Sequence, residues 1–147
     1  MKQPRRRVKG EVRNRTARHE FAVSDAVTAG VVLTGLQIKA IRAGKIDVTG
    51  AYVRVLADRN GKLEAWVHGL TVGNETQSVF KLLLTRPQID HFLGLSQQKK
   101  ATLVVTRGHF LHGYFKLDVA PGKRLKTHDR RDLLRAADLK RDAEREL

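Results

Sequence analysis

Between residues 20 and 121 the apolar positions come in short runs whose period switches between that of a strand and that of a helix. EFAV (20–23) is strand-like, and GVVL (30–33) is a short apolar, β-branched run. TGLQIKAIRAGK (34–45) then changes period: Leu36, Ala40 and Ala43 recur at helical spacing, as do Ile38 and Ile41. Thr34 with Gln37 makes a capping-box pattern, in which hydroxyl and amide each satisfy a backbone N–H that a helix start leaves unpaired. Gly44 can close the segment in the left-handed conformation. The spacing predicts a helix over 34–43.

AYVRVLADRNGKLEAWVHGL (51–70) reads as a hairpin. Val53 and Val55 alternate with Tyr52, Arg54 and Leu56; Asn60-Gly61 supplies the positive φ angles of a tight turn; Leu63, Ala65 and Val67 then share one face. GNETQ (73–77) is a polar loop. In LLLTRPQIDHFLG (82–94), Thr85 and Gln88 form a second capping box and Pro87 falls in the first helical turn, where its missing N–H costs nothing. Ile89, Phe92 and Leu93 make the buried face of a helix near 86–98. ATLVVTRGHFLHGYFKLDV (101–119) gives two strands around a turn at His112-Gly113, and APGK (120–123) ends the domain. Beyond it, Ala136, Leu139, Ala143 and Leu147 form a helical stripe of mostly small residues that buries little. A lone helix of that length is marginal in water, so the tail is expected to be unfolded alone and helical once docked.

The order is strand, helix, antiparallel strands, helix, strands. About five strands without βαβ alternation predict a mainly β fold: a small OB-type antiparallel barrel with two or three short helices and a basic C-terminal tail. A ferredoxin-like sheet is the alternative. The expected organisation is a disordered basic arm over 1–13, the barrel over 14–121 and the tail over 122–147.

Charge changes the picture. The chain of 147 residues carries 29 Lys and Arg against 15 Asp and Glu, a net +14. Residues 1–18 hold eight Lys or Arg against one Glu, so both ends are denser in positive charge than the middle. Self-repulsion of this size is relieved by a polyanion, and nucleic acid is the leading partner ahead of an anionic membrane surface. With no cysteine there is no disulfide framework and no thiolate metal site. No apolar run reaches membrane-spanning length and the N-terminus lacks an apolar signal segment, so a cytoplasmic protein is expected.

Candidate chemistry is sparse. The six histidines do not cluster in sequence; His109 and His112 have ligand-like spacing but flank a turn. No phosphate-binding glycine loop or nucleophile elbow occurs, and core carboxylates are unpaired. These features point away from an enzyme, a metal or a cofactor. The basic stretches say more. NRTARHEF (14–21) sets Asn14, Arg15, Arg18 and His19 beside Phe21: arginine forks suit phosphate oxygens, an amide can read a base edge or 2′-hydroxyl, and a ring can stack an unpaired base. Phe21 itself is assigned to the core. IKAIRAGK (38–45) puts Lys39 and Arg42 on one helical face with Lys45 just beyond. Tyr52, Trp66 and Tyr114 lie on strands, and the scarcity of aromatics assigns Trp66 to the core.

NRTARHEF, GLQIKAIRAGK, AYVRV, KLLL and HDRRDLLRAADLKRD resemble, in order and approximate spacing, the SsrA-binding protein (small protein B) family over about residues 14–142. The resemblance implies an OB-type barrel with added helices, no catalysis, and a monomer that binds the tRNA-like domain of transfer-messenger RNA and accompanies it into stalled bacterial ribosomes. It carries RNA contact to Asn14, Arg15, Arg18, His19, Gly35, Lys39, Arg42, Gly44, Lys45, Leu83, Lys123 and Arg124. It also implies that the tail becomes helical in the small-subunit decoding region, against ribosomal RNA. There His128, Asp129, Arg130 and Arg131 match the start of the family segment, and Lys140 and Arg141 its later basic positions. Thr28 and Gln37 stand where the family usually has acidic residues, the loop near 70–80 is shortened, and Lys126 and Thr127 resemble an insertion.

Overall fold

In a computed structural model of the chain, residues 11–74, 79–98, 100–125, 131 and 134–141 are described. The strands are β1 (Val12–Arg13), β2 (Phe21–Val23), β3 (Val27–Val31), β4 (Ile46–Asp47), β5 (Tyr52–Ala57), β6 (Leu63–His68), β7 (Thr71–Val72), β8 (Val79–Leu83), β9 (Thr102–Leu111) and β10 (Tyr114–Arg124). The helices are α1 (Ala17–Glu20), α2 (Gly35–Arg42) and α3 (Arg86–Gln98). Neighbours in the sheet run β9, β5, β6, β8, β3, β10, and β10 pairs back onto β9. The result is a closed antiparallel barrel of six strands, one more than the sequence pattern predicts. The missed strand is β8, whose KLLL run reads in sequence as the approach to α3. Only its pairing, Gly30 opposite Leu83 and Ala65 opposite Leu82, reveals it.

Each barrel strand turns alternate residues inward. Val53, Ala65, Val67, Phe80, Leu82, Leu103, Val105, Leu117 and Val119 fill the lumen. α3 brings Ile89 and Phe92 into burial, and its Thr85–Gln88 box forms as predicted, with Thr85 N–H donating to Gln88 Oε1 at 3.0 Å. The α2 box also forms: Thr34 N–H donates to Gln37 Oε1 (2.8 Å) and Gln37 N–H to Thr34 Oγ1 (3.2 Å). The buried stripe of α2 differs from the expected one. Ile41 and Gln37 are buried, whereas Leu36 is 77% exposed and Ala43 is exposed. Gln37 and Leu36 are adjacent and so lie about 100° apart around the helix, and the rotation that buries Gln37 turns Leu36 to solvent.

The two hairpins split the turn predictions. His112 and Gly113 both take positive φ, the two-residue turn the sequence suggested. In the β5–β6 hairpin only Gly61 does so; the loop spans 58–62, closed by Asp58 N–H donating to the Lys62 carbonyl and pinned by Asp58 Oδ1, which accepts from Asn60 and Lys62. Asp58 thus lengthens a loop that Asn60-Gly61 alone would close in two residues.

β9 and β10 extend past the barrel and carry β1 and β2 on their edges. Val12 and Arg13, assigned by sequence to the arm, pair with Gly108 and Arg107. At Gly108 an added Cβ would stand 2.7 Å from the Phe115 ring and 3.1 Å from Val12, so the close packing of these side chains over β9 needs glycine there. β10 likewise runs on to Arg124, three residues beyond the expected domain end, with Gly122 opposite Val23 and Arg124 opposite Phe21. In the tail, residues 131 and 134–141 are helical, and their side chains are exposed.

Candidate nucleic-acid interface

Asn14 is buried and spends its amide on the fold. Nδ2 donates to the Val105 carbonyl (2.9 Å), and Oδ1 accepts from Thr16 Oγ1 (3.0 Å) and from Ala17 N–H (3.2 Å). The residue therefore pins the start of α1 to β9, where the sequence suggested an amide free to read a base. What it positions is cationic. On one side of Asn14, a cleft of about 440 Å³ is lined by Arg13, Arg15, Thr106, Arg107 and Asp118. On the other side, a smaller cleft is lined by Asn14, Phe21, Gly50, Val104 and Arg124. Asn14, Arg15 and Arg124 are thus brought together, with Lys123 exposed beside Arg124 and His19 exposed on α1. The Arg18 side chain lies outside the described residues.

Asp118 anchors the first cleft. Its Oδ1 accepts from Thr28 Oγ1 (2.7 Å) and faces His109 Nε2 (2.9 Å), while Oδ2 accepts from Arg107 Nε (3.0 Å). Burial alone would raise the Asp118 pKa. The His109 and Thr28 hydrogen bonds, with the charges of His109 and Arg107, outweigh it and hold the carboxyl below its ordinary value. Glu11 Oε1 lies 2.9 Å from Arg13 Nε and 3.6 Å from an Arg107 nitrogen, giving the arginines a second anionic hold. His109 is therefore engaged with Asp118, and His112 sits in the turn; among the described residues no group of three or more ligand-type side chains is arranged to hold a metal. Arg13, Arg107 and Asp118 are missed by sequence reasoning, since only the register of β1 and β10 on β9 juxtaposes them.

A second cationic group lies on α2. Lys39, Arg42 and Lys45 are exposed, as is Gly35 at the helix start, and Gly44 adopts φ +82° beyond its end. The Arg42 guanidinium stands 5.6 Å from the centre of the Phe110 ring. Phe110 is five positions along β9 from Val105, where Asn14 binds, or about 17 Å of strand. The two groups thus occupy opposite ends of β9. Leu83 is 54% exposed on β8, beside β3, the strand that leads into α2. In the tail, Arg131, Lys140 and Arg141 are exposed, Arg141 pairing with Asp138 at 3.3 Å. His128, Asp129 and Arg130, and the suggested insertion at Lys126 and Thr127, lie outside the described residues.

Trp66 corrects the sequence reading. It is half-buried on the outer wall, opposite Arg54 on β5 and Lys81 on β8, while its neighbours Ala65 and Val67 take the inward positions. The alternation of β6 decides this, because the smaller residues suit the crowded lumen. No helix among the described residues is long and apolar enough to cross a membrane.

A family model described as SmpB protein matches residues 11–147. The chain is 36% identical over 138 residues to the SsrA-binding protein of Halalkalibacterium halodurans, covering 91% of this chain and 90% of that relative. It is 39% identical over 152 residues to the SsrA-binding protein of Synechococcus sp., covering 95% and 94%. It is also similar to a chain of a solved structure described as "tmRNA-SmpB: a journey to the center of the bacterial ribosome", with a TM-score of 0.61, 29% identity, and coverage of 86% of this chain and 95% of that one. With the match running from β1 through the barrel and the tail, this chain belongs to the SmpB protein family.

Proposed function

We propose that this protein is an RNA-binding adaptor that binds the tRNA-like domain of transfer-messenger RNA and delivers it to stalled ribosomes for trans-translation. The observation that carries the reading is the family match across barrel and tail together, alongside the likeness to a tmRNA–SmpB structure. The physics supports it. A closed barrel gives rigid support to exposed cations at both ends of β9, and rigid cations lose little entropy on meeting phosphates. Arg15, Lys123 and Arg124 at one end, with Lys39, Arg42 and Lys45 at the other, are proposed to grip a structured RNA at separated phosphates; Leu83 supplies an apolar contact. Asn14 positions rather than touches. The tail, from His128 through Arg141, is proposed to enter the decoding region of the small subunit; the side chains described there, at 131 and 134–141, are exposed, and Arg141 would exchange Asp138 for ribosomal RNA. The activity is recognition without catalysis, by a monomer in the bacterial cytoplasm.

The test compares the full chain with one ending after Leu125, the residue whose N–H donates to the Glu20 carbonyl and closes the body. The shortened chain binds a tRNA-like RNA with little loss but does not support tagging of stalled nascent chains. Normal tagging would defeat the tail assignment. Equal binding of a tRNA-like RNA and an unstructured oligomer at matched salt would defeat the adaptor reading. Lys39→Ala with Arg42→Ala weakens binding and lowers the salt dependence by roughly 0.7–0.9 decades per decade for each phosphate that no longer meets a cation.

A further inference from the structure

We propose that the outer wall of the barrel formed by β5, β6 and β8 is a separate binding surface for unpaired bases of an RNA strand. Strand registers place Tyr52 opposite His68 and His68 opposite Val79, and likewise Arg54 opposite Trp66 and Trp66 opposite Lys81. All six face outward, because the residues between them fill the lumen. An outer wall meeting only water is expected to be polar at such positions. Here Tyr52 is 38% exposed, Val79 36%, and Leu56 in a flanking position 40%. Exposed apolar surface gathered on one wall marks a contact site.

The chemistry selects the occupant. The Tyr52 and His68 rings are stacked on one another, 5.3 Å apart and 12° from parallel, and Tyr52 keeps part of its ring in solvent. Beside it the Trp66 indole is flanked across the sheet by a guanidinium and an ammonium. Flat rings interleaved with cations suit bases that stack and phosphates that need neutralising. Glu64 is the one acidic residue at the outward positions of these three strands, and Lys81 Nζ holds it at 3.4 Å. A duplex keeps its base faces inside its own stack, so the fitting ligand is an unpaired segment. The wall approaches the cleft that Arg124 lines only at its β5 edge, where Tyr52 pairs with Val104; its centre, with Trp66, lies away from it. In the closed order β6 is three strands from β10, across the barrel.

The chain has a single tryptophan, so fluorescence reports this wall alone. The full chain is titrated with a short oligoadenylate, a duplex of matched length and inorganic polyphosphate. The expected result is saturable quenching of Trp66 by the oligoadenylate only. Arg54→Gln with Lys81→Gln, and separately Tyr52→Leu, weaken that titration by about five-fold or more, while circular dichroism is unchanged. Lack of quenching, equal quenching by polyphosphate or duplex, or unaltered affinity in both variants overturns the proposal; the first of these would leave the wall to a protein partner. Binding of a tRNA-like RNA by the Lys39→Ala, Arg42→Ala variant is read independently, so failure here and failure of the adaptor reading are told apart.

Discussion

Replacing Asp118 with alanine withdraws three hydrogen-bond partners at once, those of Thr28, His109 and Arg107. A hydrogen bond to a charged group contributes about 1.5–3 kcal/mol, but the three are not additive. The Arg107 side chain is 38% exposed and recovers water, so its share is small. The His109 side chain is 14% exposed and recovers little. A loss of about 2–3 kcal/mol at pH 7 follows, a large share of the roughly 5–15 kcal/mol that holds a domain together. Urea unfolding followed by circular dichroism measures it; with a slope of about 1–3 kcal/mol per molar, the midpoint falls by roughly 0.7–3 M. Asp118→Asn, which keeps the volume and one acceptor oxygen, loses less. The pH dependence carries a sign. Because the folded-state pKa of Asp118 is lowered, its contribution is present above the ordinary carboxylate range of about 4 and is lost as pH falls through the lower folded value. The difference between native chain and variant therefore shrinks in acid. A loss below about 0.5 kcal/mol at pH 7, or a difference constant down to the most acidic pH at which both fold, refutes this account of Asp118.

Gly108→Ala drives a methyl group to 2.7 Å from the Phe115 ring and should cost about 1–3 kcal/mol in the same unfolding assay, with faster amide exchange at β1. Thr34→Ala removes the hydroxyl that caps α2 and should cost about 1 kcal/mol; weakened binding of a tRNA-like RNA accompanies it if α2 carries the contact. His68 Nε2 is buried and has no hydrogen-bond partner among the described residues, so His68→Phe, which keeps a ring against Tyr52, should raise the melting temperature by a few degrees.

The helices α2 and α3 were legible because their signals are local. Each capping box needs only a threonine and a glutamine three residues apart, and the turn at His112-Gly113 is a two-residue matter. The family, too, was legible, since ordered blocks such as RAGK and HDRR survive as a linear record. Barrel closure was not. β8 presents no alternation that separates it from the approach to α3, and its strand identity comes from the partners on either side. The charge of both ends was plain in sequence, yet the side-by-side placement of Arg13, Arg107 and Asp118 depends on the β9–β10 pairing and on that of Arg13 with Arg107, more than ninety residues away. Asn14 offers an amide for RNA in sequence, and in the fold that amide braces α1 against β9, while Trp66 looked like core and proved to be wall. Composition names which side chains a protein owns, and short-range spacing fixes its helices and turns. Which face of a strand meets the lumen, and so which rings and cations reach solvent together, is settled only when distant strands pair and the sheet closes on itself.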